Sequence, residues 1–305
     1  MKVALYTHPQ KDEKLCIAEM IADMASSLCP PVQVLFDKEL FEKFPLDEQR
    51  KATLCEKMRI CDLVGTQQAI KSCDLVISIG GDGTFLGAAR LACMGNVPVL
   101  GVNSGRIGYL AELEKQDVNE LADILSHPDS WLFESRMMLS CDVVRDGKTV
   151  SRMTALNEIA VTKGVVSRMI DVDIRTSNTK ICTYRADGFI VSTPTGSTAY
   201  AMSAGGPIID PSIECLLTLP VCPYLAVNAS PVIYSPQSVI EIVFADGKGN
   251  NAFVTADGKE SFELAEGDRV IVKRADESVK LLKHRKIDFC TLLNIKLSEE
   301  VIHTP

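Results

Sequence analysis

The sequence predicts an α/β first domain, a parallel sheet covered by helices, followed by a β-rich, sandwich-like second domain. Three observations predict this. Wholly apolar strand-like runs alternate with helical periodicities over the first hundred residues. The texture then changes, after the acidic helical segment 117–125, to short strands. Gly, Asp and Asn punctuate those strands, as in Asp146-Gly147, Asp246-Gly247-Lys248-Gly249 and Asp257-Gly258. The expected boundaries are 1–126 for the α/β domain, with the tail 285–305 packing back on it, and 127–284 for the β-rich domain.

The elements follow in order. Lys2–Tyr6 is an apolar strand, and Leu15–Ser27 carries Ile17, Met20, Ile21 and Met24 at helical spacing. Val32–Phe36 is a second strand, and a polar helix is expected from about Asp47 to Thr66. Asp74–Ile79 is a continuous apolar strand, Thr84–Met94 a helix, and Val97–Val102 another buried strand. In the second half, strands are expected at Met138–Arg145, Met153–Thr162, Ile170–Arg175, Gly188–Ser192, Val239–Phe244 and Asp268–Arg274. The tail Phe289–Leu297 is apolar again.

Composition narrows the function classes. The chain is 46% hydrophobic and 24% charged, enough to build a sizeable core. No apolar run approaches the roughly 20 residues that span a bilayer, and the short apolar N-terminus reads as a strand, so a cytosolic protein is expected. The formal charge of −8 argues against nucleic-acid and membrane surfaces as partners. It leaves room for a polyphosphate substrate, which helix N-termini and backbone amides hold without net positive charge. The eleven cysteines form no CxxC pair, and the four histidines are scattered, so reduced structural thiols are expected rather than a metal site.

The first chemical motif is Gly80-Gly81-Asp82-Gly83-Thr84, which closes a strand and opens a helix. Three glycines let a ligand approach the backbone, and the helix start offers N–H groups to an anion. Neither a Walker A loop nor a GxGxxG pattern is present. Asp82 is the informative residue, because a carboxylate beside phosphate is repulsive. It makes sense as a proton acceptor or as a partner for Mg²⁺ in phosphoryl transfer. A helix-capping aspartate is the plain alternative.

This loop resembles the signature shared by NAD kinases and lipid kinases, with a relative in phosphofructokinases. The run from Asp187 to Pro207, which includes Thr193-Pro194-Thr195-Gly196-Ser197-Thr198-Ala199-Tyr200, is similar to the NAD kinase signature almost letter for letter. Gly101–Leu110 resembles that family's second loop, and Asn157-Glu158 its Asn-Glu pair. The tail is also family-like. The resemblance implies a phosphofructokinase-like nucleotide fold in the first domain. It implies transfer of the γ-phosphoryl of ATP, or of polyphosphate, to the 2′-hydroxyl of the adenosine ribose of NAD, giving NADP with the help of Mg²⁺ or another divalent cation.

Residue by residue, the resemblance implies Asp82 as the proton acceptor, with Gly83 beside it on the acceptor and Gly80, Gly81 and Thr84 in the phosphate loop. Asn157, Glu158, Asp187, Thr198, Ala199, Tyr200, Ala201, Met202 and Ser203 would line the NAD pocket, with Tyr200 offering a face to a base. Arg168 and Arg185 would reach the dinucleotide or a neighbouring subunit, and a homodimer or homotetramer is implied. Pro223–Pro231 departs from the family pattern, lacking its His and Arg, and Lys259 stands where relatives carry Gln. A lipid kinase and a non-catalytic NAD sensor are the alternative readings at this point.

Overall fold

The computed structural model describes residues 1–302 except 13, 64–66, 105–107, 165–167, 178, 225–228, 246–250 and 285–287. The chain divides into two compact units, Met1–Ser135 with Val279–Pro305, and Arg136–Ser278.

The first unit is wound from β1 (Lys2–Thr7), α1 (Cys16–Ser27), β2 (Gln33–Asp37), α2 (Lys38–Glu42), α3 (Glu48–Lys57), β3 (Arg59–Cys61), α4 (Gln67–Lys71), β4 (Leu75–Gly80), α5 (Asp82–Gly95) and β5 (Val99–Asn103). All five strands pair in parallel, in the order β3-β2-β1-β4-β5. Every residue of β4 and β5 is buried, as expected of strands covered on both faces. The helices supply the cover. Ile17, Ala18, Ile21, Ala22 and Ala25 of α1 join Leu5, Phe36, Ile77 and Ile79 of the sheet in one apolar cluster.

One sequence expectation is corrected here. The polar helix expected to reach Thr66 ends at Lys57, and Arg59–Cys61 pairs with β2 as the edge strand. Asp37 anchors both connections at that edge, accepting the N–H of Leu40 at 2.9 Å and of Leu63 at 3.0 Å. Residues 64–66 of the expected helix lie outside the described residues.

The strand order places a topological switch point between β1 and β4, because the chain leaves β1 toward β2 and returns to pair β4 on its other side. Ligands of open α/β sheets bind beyond the carboxyl ends of strands at such a point. Gly80 is the last residue of β4, so the glycine-rich turn emerges there.

After the short β6 (Leu113–Glu114) and α6 (Leu121–Ser126), β7 (Leu132–Arg145) leads into the second unit. It contains β8 (Lys148–Ala155), β9 (Glu158–Lys163), β10 (Ile170–Thr176), β11 (Thr179–Ala186), β12 (Gly188–Ser192), α7 (Tyr200–Ser203), β13 (Leu216–Val221), β14 (Val232–Tyr234), β15 (Ile240–Phe244), β16 (Ala252–Ala256) and β17 (Glu260–Leu264). The chain returns to the first unit along β18 (Arg269–Lys283) and ends in α8 (Phe289–Ile302).

Antiparallel pairing dominates the second unit. One sheet runs β14-β13-β12-β9-β16-β17, and in the other β11, β10, β15 and β18 follow one another. Ile159, Val161, Phe189 and Val254 from the first sheet share an apolar cluster with Val172, Ile174, Ile242 and Val270 from the second. Two sheets burying one common core make a sandwich. Within it, the expected strand Met153–Thr162 is broken in two at Leu156 and Asn157.

No described helix is long and apolar enough to cross a membrane. All eleven cysteines are free thiols. Burial pushes the thiol of Cys73 up to about 11 and that of Cys141 to about 12, so both pack as small hydrophobes.

Candidate active site

In the first unit the site is built around Gly80–Thr84. A Cβ on Gly80 would stand 2.6 Å from the Cβ of Thr84, so glycine lets the turn fold over its own helix start. Gly81 and Gly83 differ, because a Cβ on either would meet none of the described residues within 4 Å. Packing does not demand glycine there, whereas a ligand lying against the backbone would. Gly81 is the N-cap of α5, and its carbonyl accepts from Thr84 and Phe85, leaving the positive end of the helix at this turn.

Asp82 is the first residue of α5, and its carboxylate reaches a different loop. Its oxygens accept the backbone N–H of Tyr109 at 3.1 Å and of Leu110 at 3.2 Å. The same loop is tied to the strand end from its other side, where Ser104 N–H donates to the Gly80 carbonyl. Asn103, 1% exposed, donates from Nδ2 to Glu114. The carboxylate is thus oriented from outside its own helix. Residues 105–107 of this loop lie outside the described residues.

In the second unit a candidate cluster of its own gathers around Asn157 and Glu158. The strand break beside them is held by Asp257, whose carboxylate accepts the N–H of Leu156 at 3.0 Å, Asn157 at 2.8 Å and Glu158 at 3.2 Å. The following turn is laced to the same backbone. Thr193 Oγ1 donates to the Leu156 carbonyl at 2.6 Å, and Ser192 Oγ and Thr193 N–H both donate to the Asn157 carbonyl. Gly196 N–H donates to Thr193 Oγ1, and Ser197 Oγ donates to Pro194 O. A turn so dense in hydroxyls is chemically able to donate to phosphate and ribose oxygens. Ser192, Thr193 and Ser197 instead donate to main-chain carbonyls and shape the turn.

What this scaffold presents is an unusual pair. Asn157 and Glu158 are each 7% exposed, and the buried Oδ1 of Asn157 and Oε2 of Glu158 have no hydrogen-bond partner among the described residues. A buried acceptor without a donor costs free energy unless a ligand supplies one. Burial first, and the nearby Asp257 second, push the Glu158 carboxyl up to about 7. Tyr200, at the start of α7, is 39% exposed. Burial holds its hydroxyl above the ordinary value, with Cys222, Asp187 and Glu158 adding to the effect.

The remaining expected residues fall into three groups. Asp187 sits in the kink between β11 and β12 and pairs with Lys163 Nζ at 2.8 Å. Thr198 donates to Thr195 O at 3.3 Å, Ala199 joins the turn to α7, and Met202 and Ser203 complete that helix. Ala201 differs, because its methyl lies in an apolar cluster with Ile190, Leu217 and Leu219, so only its backbone is available to a ligand. Arg185 makes a bidentate pair with Asp171 across β10 and β11, at 2.8 and 2.7 Å, and Arg168 is exposed ahead of β10. Residues 225–228 of the departing loop lie outside the described residues.

Comparison with known proteins decides the family. The ATP-NAD kinase N-terminal domain profile matches residues 3–130, and the ATP-NAD kinase C-terminal domain profile matches residues 156–284. An NAD kinase of Natranaerobius thermophilus is 41% identical over 246 residues, covering 78% of this chain and 84% of that protein. One of Desulforamulus reducens is 38% identical over 239 residues, covering 77% and 81%. The chain belongs to the NAD kinase family. Its fold is similar to that of yeast NADH kinase solved with NADH, with a TM-score of 0.82 at 23% identity, covering 98% of this chain and 87% of that one. An Archaeoglobus fulgidus NAD kinase solved with ATP gives a TM-score of 0.66 at 24% identity, covering 98% and 99%. Neither the lipid-kinase nor the sensor reading gains support from these relatives.

Within an NAD kinase the residue that sequence reasoning passed over is Asp257. Its signal was an Asp-Gly pair between two apolar segments, read only as strand punctuation. The raised Glu158 carboxyl also has a measurable consequence for stability. Its value in the folded chain lies above the ordinary 4.5, so the folded state holds a proton that the unfolded state releases. Stability is therefore lost as pH rises from about 4.5 to about 7, by on the order of 3 kcal/mol. Glu158→Gln removes this slope. The Tm of the variant minus that of the native protein is expected to rise between pH 5 and pH 8; equal differences at both ends would remove the buried proton.

Proposed function

We infer that this chain transfers the γ-phosphoryl group of ATP to the 2′-hydroxyl of the adenosine ribose of NAD, giving NADP and ADP. Asp82 carries the reading. It is a carboxylate at the carboxyl end of β4, beside the switch point, turned by Tyr109 and Leu110 out of the capping position. A loop that only cradled phosphate would gain nothing from a negative charge there. Asp82 accepts the proton of the 2′-hydroxyl as that oxygen attacks the γ-phosphorus and the bond to the leaving ADP oxygen breaks.

The other residues bind and orient. The start of α5 and the backbone at Gly81 receive the donor's phosphates, with Gly80 and Thr84 holding the turn, and Gly83 lies beside Asp82 on the acceptor. Asn157 and Glu158 take hydroxyl or amine donors of the dinucleotide, which would satisfy their buried oxygens. Asp187, Tyr200 and the backbone of Thr198–Ser203 complete the acceptor pocket. Arg168 and Arg185 act at its margin or toward a second subunit of a homodimer or homotetramer in the cytoplasm. Among the described residues no three or more His, Cys, Asp or Glu gather into a metal site. Mg²⁺ brought in with the nucleotide would neutralise charge on the transferring group, with Asp82 the carboxylate of the glycine turn able to face it.

The test is incubation of the purified protein with NAD, Mg²⁺ and either ATP or inorganic polyphosphate, with NADP read by an NADP-specific dehydrogenase. NADP formation with ATP is the expected result. Absence of NADP with both donors, in protein shown to be folded, would overturn the assignment. NADH in place of NAD measures the breadth of the acceptor pocket in the same assay.

A further inference from the structure

We infer that Asp257 is a positioning residue for the acceptor pocket, its carboxylate seating the Leu156–Glu158 backbone and so fixing where Asn157 and Glu158 meet the ligand. The proposal rests on the reading of Asn157 and Glu158 as acceptor-binding residues.

The geometry is that of an anion nest. Three successive backbone N–H groups converge on one carboxylate, with Leu156 on Oδ2 and both Asn157 and Glu158 on Oδ1. The contact is reciprocal, because Asp257 N–H donates to the Glu158 carbonyl at 3.0 Å. Asp257 and Gly258 form the turn between β16 and β17, with φ of +50° and +63°. Such a hairpin turn is satisfied by Asn-Gly at least as well as by Asp-Gly. The turn alone thus does not require an acid. The nest does, since only a carboxylate offers both oxygens as acceptors.

Asp257 is 9% exposed, so its charge acts on Glu158 through little water. Together with burial it favours the protonated form of Glu158 near neutrality. Among the described residues, Tyr200 from α7 also faces Glu158, and it stays protonated in this range. Cys222 and Asp187 in turn face Tyr200, and Asp187 is held by Lys163. A protonated Glu158 can donate to a ligand oxygen as well as accept, and it adds no second negative charge beside the dinucleotide's phosphates.

The experiment is a pH profile, from 5.5 to 9, of KM for NAD and of kcat in the native enzyme, Asp257→Asn and Glu158→Gln. Asn tolerates the left-handed backbone at 257, so the hairpin survives the exchange. The native KM is expected to carry an inflection near pH 7. Asp257→Asn is expected to raise KM about ten-fold, with kcat far less affected. It is also expected to move the inflection down by about one pH unit, because burial persists while the neighbouring charge is gone. Glu158→Gln should abolish the inflection. An Asp257→Asn profile superimposable on the native one, where Glu158→Gln does change KM, overturns the role of Asp257 and leaves the pocket intact. If Glu158→Gln changes neither KM nor its profile, the pocket reading falls and this inference falls with it. Should Asp257→Asn fail to fold, carboxyl ¹³C NMR of the native protein against Glu158→Gln decides: a Glu158 signal titrating in the ordinary carboxylate range overturns the proposal.

Discussion

Asp82→Asn is expected to lower kcat for NADP formation by about 10²- to 10⁴-fold, the usual worth of a positioned general base, while NAD affinity changes little. The exchange is nearly isosteric and removes the proton acceptor. It also has a structural side, because the carboxylate receives N–H bonds from both Tyr109 and Leu110. An asparagine oxygen keeps one of these, and its amide group faces the other donor. That loss is expected to lower stability by about 1–3 kcal/mol. The two effects separate experimentally. A purely chemical role lowers kcat and kcat/KM together with NAD binding intact. A loosened 109–110 loop would instead lower Tm and weaken NAD binding in step with turnover. Near-native kcat in the folded variant would remove Asp82 as the base.

Gly196→Ala is expected to damage the acceptor pocket through a single methyl group. A Cβ there would stand 2.5 Å from the Asn157 carbonyl carbon and 2.6 Å from Ser192 Oγ. The first neighbour is backbone held by Asp257, Ser192 and Thr193, so it cannot yield without moving Asn157. The expected outcome is a stability loss of about 1–3 kcal/mol, typical of overpacking, together with a large rise in KM for NAD. Gly81→Ala is the informative contrast. Its Cβ would meet none of the described residues within 4 Å, so its fold should be unchanged and its defect confined to phosphate binding. A Gly196→Ala protein with native Tm and native KM would show that the turn is not wedged against Asn157.

The parallel sheet was legible because its strands are continuous apolar runs, and every residue of β4 and β5 is buried as such runs demand. The second unit was less so. Thr179–Ala186 pairs with β10, yet most of its residues face solvent, and the alternation of Cys182, Tyr184 and Ala186 is too short to mark a strand by itself. Leu216–Val221 is buried throughout, but it ends in Pro220-Val221 and a proline argues locally against a central strand. The strand expected over Asp268–Arg274 runs on to Lys283, because the polar patch Asp276-Glu277-Ser278 hides the apolar residues beyond it. Among the candidate functional residues, the glycine turn and the Thr193–Tyr200 run were legible as motifs. The break at Asn157 was not, since it is set by Asp257 from about a hundred residues away. Local pattern carries no trace of such a partner.

The internal bonding of the turn after β12 has a consequence for the cost of ligand capture. Ser192, Thr193 and Ser197 have committed their protons to main-chain oxygens, and Gly196 is seated against Asn157. The segment therefore holds one conformation ahead of any encounter, so on the proposed function little chain entropy would be lost when the dinucleotide arrives. Loosening any of those links would be felt first as faster release of the dinucleotide, with the shape of the bound complex unaltered.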